Sequence, residues 1–235
     1  MCIRDRYYET KFYSLAYKIL FTHKESLETH SSYFNIDKEK LIVGKPISSF
    51  DEEVFKLTLS YDYLSSPIIF GYFGVLTKGV RSSKNVLNYI EDLGDFKFKW
   101  FTNPDSKIET RKHMRQKNNH KFLNMVSRSE ALKIMASSTQ CLLSIGNKNS
   151  AQLPSKVIEY LSTGKPVVHF AEIEDDPVFE ISKKYPNLLV ISKELDKEEF
   201  INKLNNLFAN IYNFSSETFL EEYSPRTLVN QLDFI

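Results

Sequence analysis

Between residues 68 and 211 short apolar runs alternate with amphipathic stretches, and few folds tolerate that rhythm. The apolar runs are IIFGYFG (68–74), FKFKWF (96–101), HKFLNMV (120–126), CLLSI (141–145), VVHF (167–170) and LLVI (188–191). Between and after them, helical spacing is expected over 82–93, 108–117, 127–138, 154–163, 177–184 and 196–211. Strand followed by crossover helix, repeated, predicts a doubly wound α/β domain with a parallel sheet and helices on both faces. Such sheets bind ligands beyond the carboxyl ends of their strands, where the strand order reverses. The turns after the strands are therefore where functional residues are sought.

Composition narrows the function classes. A net charge of +1 over 235 residues gives no electrostatic footprint for nucleic acid, and 18 Phe and 13 Tyr are scattered rather than set among basic residues. No apolar run approaches the ~20 residues a membrane span needs, and charges from Arg4 to Lys11 interrupt any secretory h-region. Cys2 and Cys141 fit no zinc or redox spacing, and Cys141 is expected as a buried apolar residue in its strand. A cytoplasmic location is the expectation, with the inner face of the membrane open to it through peripheral association.

Upstream of residue 63 the pattern is thinner. Residues 1–6 lead into nothing that follows and are set aside; a helix is expected near 7–17, a strand at 18–22, a helix over 23–33 and a strand at 41–44. A polar connector with a helical middle (51–63) follows. Two strands with so few helices cannot close a core of their own, so residues 1–62 are expected to be the remnant of a truncated first domain plus a linker. Residues 63–212 form the regular domain and 213–235 a final helix.

Two βα turns carry the candidate chemistry. The first strand runs into GYFGVLTKGVRS, where Gly71, Gly74 and Gly79 permit a tight turn and Lys78 and Arg81 bring positive charge, the makings of a diphosphate cradle or of a plain turn. The second is LPSKVIEYLSTGKPVV (153–168), a short helix opened by Pro154 and stopped by Gly164 and Pro166. Ser155, Lys156 and Glu159 share one side of it, a hydroxyl and a cation beside free amides that suit phosphate, with a carboxylate one turn on for sugar hydroxyls. A solvated helix answers the same spacing. Val126 and Ser127, at the carboxyl end of the third strand, could line a base pocket, although Ser127 with Glu130 also reads as a helix cap.

Other groups offer less. Glu172, Glu174, Asp175 and Asp176 could hold a metal or act as an acid–base pair, as in a glycosidase, or simply precede the helix opened by Pro177. His113 and His120 fall in polar stretches, and His169 reads as a packed core residue. The polar loop GNKNSAQ (146–152) could fold over a ligand as a lid.

The motif P-S-K-x-x-E-Y-L-x-x-G-K-P-V, from Pro154 to Val167, resembles the donor-site signature of GT-B glycosyltransferases, in particular the large retaining family numbered four. The first turn is similar to that family's Y-x-G-x-L-x-x-G-x-R variant through Tyr72, Gly74, Leu76, Gly79 and Arg81, and the I-I-F-T and V-I-x-x-P-I elements of its first domain resemble Ile19–Thr22 and Ile42–Ile47. The resemblance implies a hexosyltransferase-like enzyme that moves a sugar from a nucleotide-diphosphate donor to a glycan, lipid or other acceptor in polysaccharide or glycoconjugate synthesis. It further implies retention at the anomeric carbon, no metal and no other cofactor. Gly74, Lys78, Arg81, Ser155 and Lys156 would bind the diphosphate, and Glu159 the ribose; no catalytic nucleophile is assigned. The family often carries a glutamate eight positions before that one, and here the place is Ala151. A sugar-nucleotide epimerase of related fold and a non-catalytic nucleotide-binding or interaction domain are the alternatives.

Overall fold

The computed structural model describes residues 3–48, 51–63, 65–77, 79–148, 152–193, 195–210 and 216–232. The chain starts with α1 (Ile3–Leu15), β1 (Ile19–Phe21), α2 (Lys24–Tyr33), β2 (Leu41–Val43) and α3 (Glu52–Leu59). β1 and β2 pair in parallel as a small sheet of their own. Helix α1 begins at Ile3, inside the segment that sequence patterning had set aside.

The larger sheet is built from β3 (Ile68–Phe73), α4 (Lys84–Ile90), β4 (Phe96–Phe101), α5 (Pro104–Arg111), β5 (His120–Leu123), α6 (Arg128–Ser138) and β6 (Cys141–Ile145). It continues through α7 (Ser155–Leu161), β7 (Val167–Phe170), α8 (Val178–Ser182), β8 (Leu188–Ile191) and α9 (Lys197–Ala209), and the chain closes on α10 (Ser216–Tyr223) and α11 (Pro225–Leu232). Its strand order is β5-β4-β3-β6-β7-β8, every pair parallel. The order reverses between β3 and β6, which pair through Phe70 with Cys141 and Gly71 with Leu142. The expected doubly wound architecture is thus the one found, with its switch point where β3 and β6 end.

Alternation along the strands makes two cores. Phe70, Tyr72, Leu143, Val168 and Phe170 face α4 and α9 through Val86, Leu87, Ile90, Phe200 and Leu204. Phe73, Leu142 and Val167 face α6 and α7 through Leu132, Met135, Val157, Ile158 and Leu161. Val54 of α3 and Phe219 and Tyr223 of α10 join this second core. Side chains at successive strand positions point to opposite faces, so a strand buried on both sides reads as a continuous apolar run. Cys141 is a buried strand residue as expected, its thiol pushed well up by burial.

Several expectations are corrected. Helix α5 starts at Pro104, four residues before the expected start, because Asn103 caps it by accepting from Ser106 N (3.0 Å) and proline suits the first position. The single helix expected over 213–235 is two among its described residues, since Pro225 cannot donate to the preceding turn and Ser224 Oγ caps the second helix at Thr227 N (3.1 Å). Gly71 is not a turn residue. It lies within β3, where a Cβ would come 2.7 Å from Thr139 Cγ2, so its role is close packing. His120, expected in a polar stretch, has a buried side chain; it takes the Trp100 indole N–H at 3.0 Å and pairs with Glu91 at 3.0 Å.

Candidate functional site

A cavity of about 500 Å³ opens at the carboxyl ends of β3 and β4, between the starts of α6 and α7. The sequence dictates its floor at Gly74. The residue has φ +146°, a conformation that L side chains rarely adopt, and an added Cβ would fall 1.2 Å from Lys156 Nζ. Glycine here lets the α7 lysine lie against the backbone that ends β3. The strand end is itself pinned: Tyr160 Oη accepts from Phe73 N (3.0 Å) and donates to Phe73 O (3.2 Å), while Gly74 N donates to Phe101 O (2.9 Å).

Two cations converge on this turn. Lys156 Nζ sits 5.2 Å from the centre of the Tyr72 ring, and Arg81 Nε donates to Asn147 Oδ1 at 2.9 Å. Asn147, buried at the end of β6, in turn donates to Gln152 O (3.2 Å), so the switch point holds the arginine through a fixed amide. Among the described residues neither cation has a carboxylate partner in ion-pair range. Burial, and then the Arg81 charge, bring Lys156 down to about 8 against the pull of Glu159. A half-buried lysine beside a second cation is a poor arrangement for stability and a good one for an anion.

Glu159 lies one turn along α7 from Lys156 and accepts from Arg128 Nε at 2.7 Å. Opposite these charges the cavity is apolar. Phe73 and Phe101 stack with centroids 4.4 Å apart, and Met125, Val126, Ala131 and Met135 complete that side.

The structure therefore brings together Gly74, Arg81, Lys156, Glu159 and Val126. Ser155 is exposed at the start of α7 and does not line the cavity. Ser127 does not line it either; its Oγ accepts from Glu130 N (3.3 Å) and caps α6. Lys78 and Ala151 lie outside the described residues. Sequence reasoning missed Arg128, Phe101 and Met125. Arg128 and Glu159 are 31 positions apart, so no local spacing could have paired them; only the β5–α6 and β6–α7 junctions of one sheet bring them together.

Of the acidic cluster, Glu174 and Asp175 are exposed, and Glu172 accepts from Asn85 Nδ2 at 3.3 Å. Asp176 is buried, accepts from Val178 N (3.0 Å) at the start of α8 and meets His169 Nε2 at 3.1 Å, while His169 Nδ1 meets Ser144 Oγ at 3.0 Å. This serine–histidine–aspartate chain has the residue types of a nucleophile relay, yet all three side chains are buried, so it braces the ends of β6 and β7 instead. Among the described residues no group of three or more His, Cys, Asp or Glu is placed to hold a metal ion.

The architecture is that of the GT-B glycosyltransferases. A glycosyltransferase from Rickettsia africae ESF-5 superposes with a TM-score of 0.65 at 15% identity, over 100% of this chain and 66% of that one. Sucrose-phosphate synthase from Thermosynechococcus elongatus gives 0.67 at 11% identity, over 98% of this chain and 60% of that one. The lipopolysaccharide outer core galactosyltransferase WaaB in its apo form gives 0.64 at 12% identity, over 93% and 61%. The chain thus spans less than two thirds of the length of these structures. No family model and no curated protein matches the sequence.

Proposed function

We propose that the cavity is the donor site of a glycosyltransferase that uses a nucleotide-diphosphate sugar. The observation that carries this reading is the meeting of Lys156 and Arg81 at Gly74, two cations without carboxylate partners among the described residues, at the switch point of a GT-B-type sheet. Charge accumulates on the departing diphosphate when the glycosidic bond to it breaks, and preorganised cations in a partly dry cleft stabilise that charge without reorganising. Lys156 and Arg81 supply the cations, with Lys78 as a further candidate. Glu159 faces the cavity where a ribose diol would lie, and the Phe101, Met125 and Val126 side takes the base.

On this reading residues 63–212 are the donor half, 1–62 belong to an acceptor-side domain and its linker, and 213–235 return toward it. Two contacts support the last point: Ser48 N donates to Tyr223 O at 3.1 Å and Lys45 pairs with Glu222. The acceptor is a glycan or a lipid-linked glycan, the chemistry proceeds with retention and without a metal, and the protein works in the cytoplasm or at the inner membrane face. Among the described residues no helix is long and apolar enough to cross a membrane.

The test is a thermal-shift screen with UDP, GDP, ADP and CMP and their sugar conjugates. Ligand bound to the native state alone raises stability by about 2.7 kcal/mol at a hundredfold excess over Kd, so a nucleoside diphosphate is expected to raise Tm by several degrees. No response to any of them at millimolar concentration overturns the donor-site reading.

A further inference from the structure

We infer that Arg128 is a positioning residue for Glu159: its guanidinium orients the carboxylate so that the site selects ribose over deoxyribose. The inference rests on the donor-site reading above and goes beyond the motif that brought Glu159 to notice. Arg128 is the first residue of α6 and Glu159 lies on α7, so their contact closes the rim of the cavity between two helices. The bond is a single one, Nε to Oε1 at 2.7 Å. The Glu159 side chain is 25% exposed and that of Arg128 60%, which places the carboxylate inside the rim and the guanidinium over it.

A glutamate side chain has three rotatable bonds, and an unrestrained carboxylate samples many directions. One charge-assisted hydrogen bond to Oε1 narrows the directions the group samples and leaves Oε2 to accept from a ligand hydroxyl. No other side chain among the described residues is bonded to that carboxylate, so its direction depends on Arg128. The carboxylate is paired with Arg128, and among the described residues Glu159 forms no ion pair with Lys156, three residues earlier on α7.

The experiment measures affinities of the full chain for UDP, GDP and ADP, each beside its 2′-deoxy and 3′-deoxy counterpart and its parent nucleoside. The wild type is expected to bind the deoxy form about tenfold more weakly, the loss of one hydrogen bond to a charged group. Arg128→Gln is expected to shrink that ratio to less than about threefold while leaving the preference for diphosphate over nucleoside intact, and Arg128→Lys to restore part of it. The preserved diphosphate preference reports that the variant is folded. If Arg128→Gln discriminates as the wild type does, or loses ribose and deoxyribose forms equally, the positioning role is wrong and the donor site stands. If the wild type binds a diphosphate without discriminating, the inference also falls. If the wild type binds no diphosphate, the donor reading itself fails and takes the inference with it.

Discussion

At the scale of single residues, Lys156 sets the behaviour of the site. Its ammonium occupies the space a side chain at residue 74 would need, and burial together with Arg81 lowers its pKa to about 8. A lysine is charged below its pKa, so the empty site loses this cation as pH rises through about 8. A bound diphosphate favours the charged form, and binding should therefore be linked to proton uptake around that pH. Nucleoside diphosphate affinity is expected to be level near pH 7 and to fall by up to about tenfold per unit above the lysine pKa. Titrations at pH 7, 8 and 9 check this, and an affinity that does not change across the range removes Lys156 from the anion site. Gly74, Arg81, Lys156 and Glu159, which line one cavity, were legible as candidates because each sits in a short motif with a local spacing. It did not show that Ser155 points to solvent, which depends on how α7 is rotated against the sheet, nor that Arg128 reaches Glu159.

At the scale of elements, the turn after α7 holds the connector that leads into the sheet. Gly164 ends the helix with φ +73°, and a Cβ there would lie 2.4 Å from the Phe55 ring of α3. The next residue, Lys165, is fully buried, and among the described residues its Nζ has no hydrogen-bond partner; it lies 3.5 Å from the Tyr61 ring centre and 4.8 Å from that of Tyr63. Burial drives this lysine down to about 7, with Cys141 opposing. Because the folded pKa lies below the unfolded value, the unfolded chain binds more protons between about pH 7 and 10.5, and stability rises with pH through that window. Lys165→Met removes the penalty of a buried charge, so at pH 6 it is expected to stabilise by about 1–4 kcal/mol, offset in part by lost cation–π contact. By pH 10 the gain should vanish. Urea denaturation at the two pH values measures it, and a variant less stable at pH 6 than at pH 10 relative to wild type would show the aromatic contact to dominate. The six strands were legible because each is a short apolar run between turn signals. The ends of the helices were less so, since α5 depends on an asparagine cap and the C-terminal break on a single serine–proline pair.

For the whole molecule, the two sheets are held by ties that no local pattern encodes. Glu222 on α10 accepts from Tyr185 Oη at 2.7 Å and pairs with Lys184 and with Lys45, which follows β2. Burial opposes its ionisation, but the hydrogen bonds from Lys184, Lys45 and Tyr185 hold it down to about 2. The C-terminal helices thereby join the connector of the small sheet to the second core of the large one, and the cavity stays on the opposite, carboxyl-end side of the strands. Everything functional in this arrangement depends on one claim, that the switch-point cavity recognises a diphosphate through Lys156 and Arg81. Calorimetric titration of UDP, GDP and ADP and of their parent nucleosides against the wild type and Lys156→Met tests it. The wild type should prefer one diphosphate over its nucleoside, and Lys156→Met should erase about 1.5–3 kcal/mol of that preference while sparing the nucleoside. Equal losses for diphosphate and nucleoside, or no preference in the wild type, would contradict it.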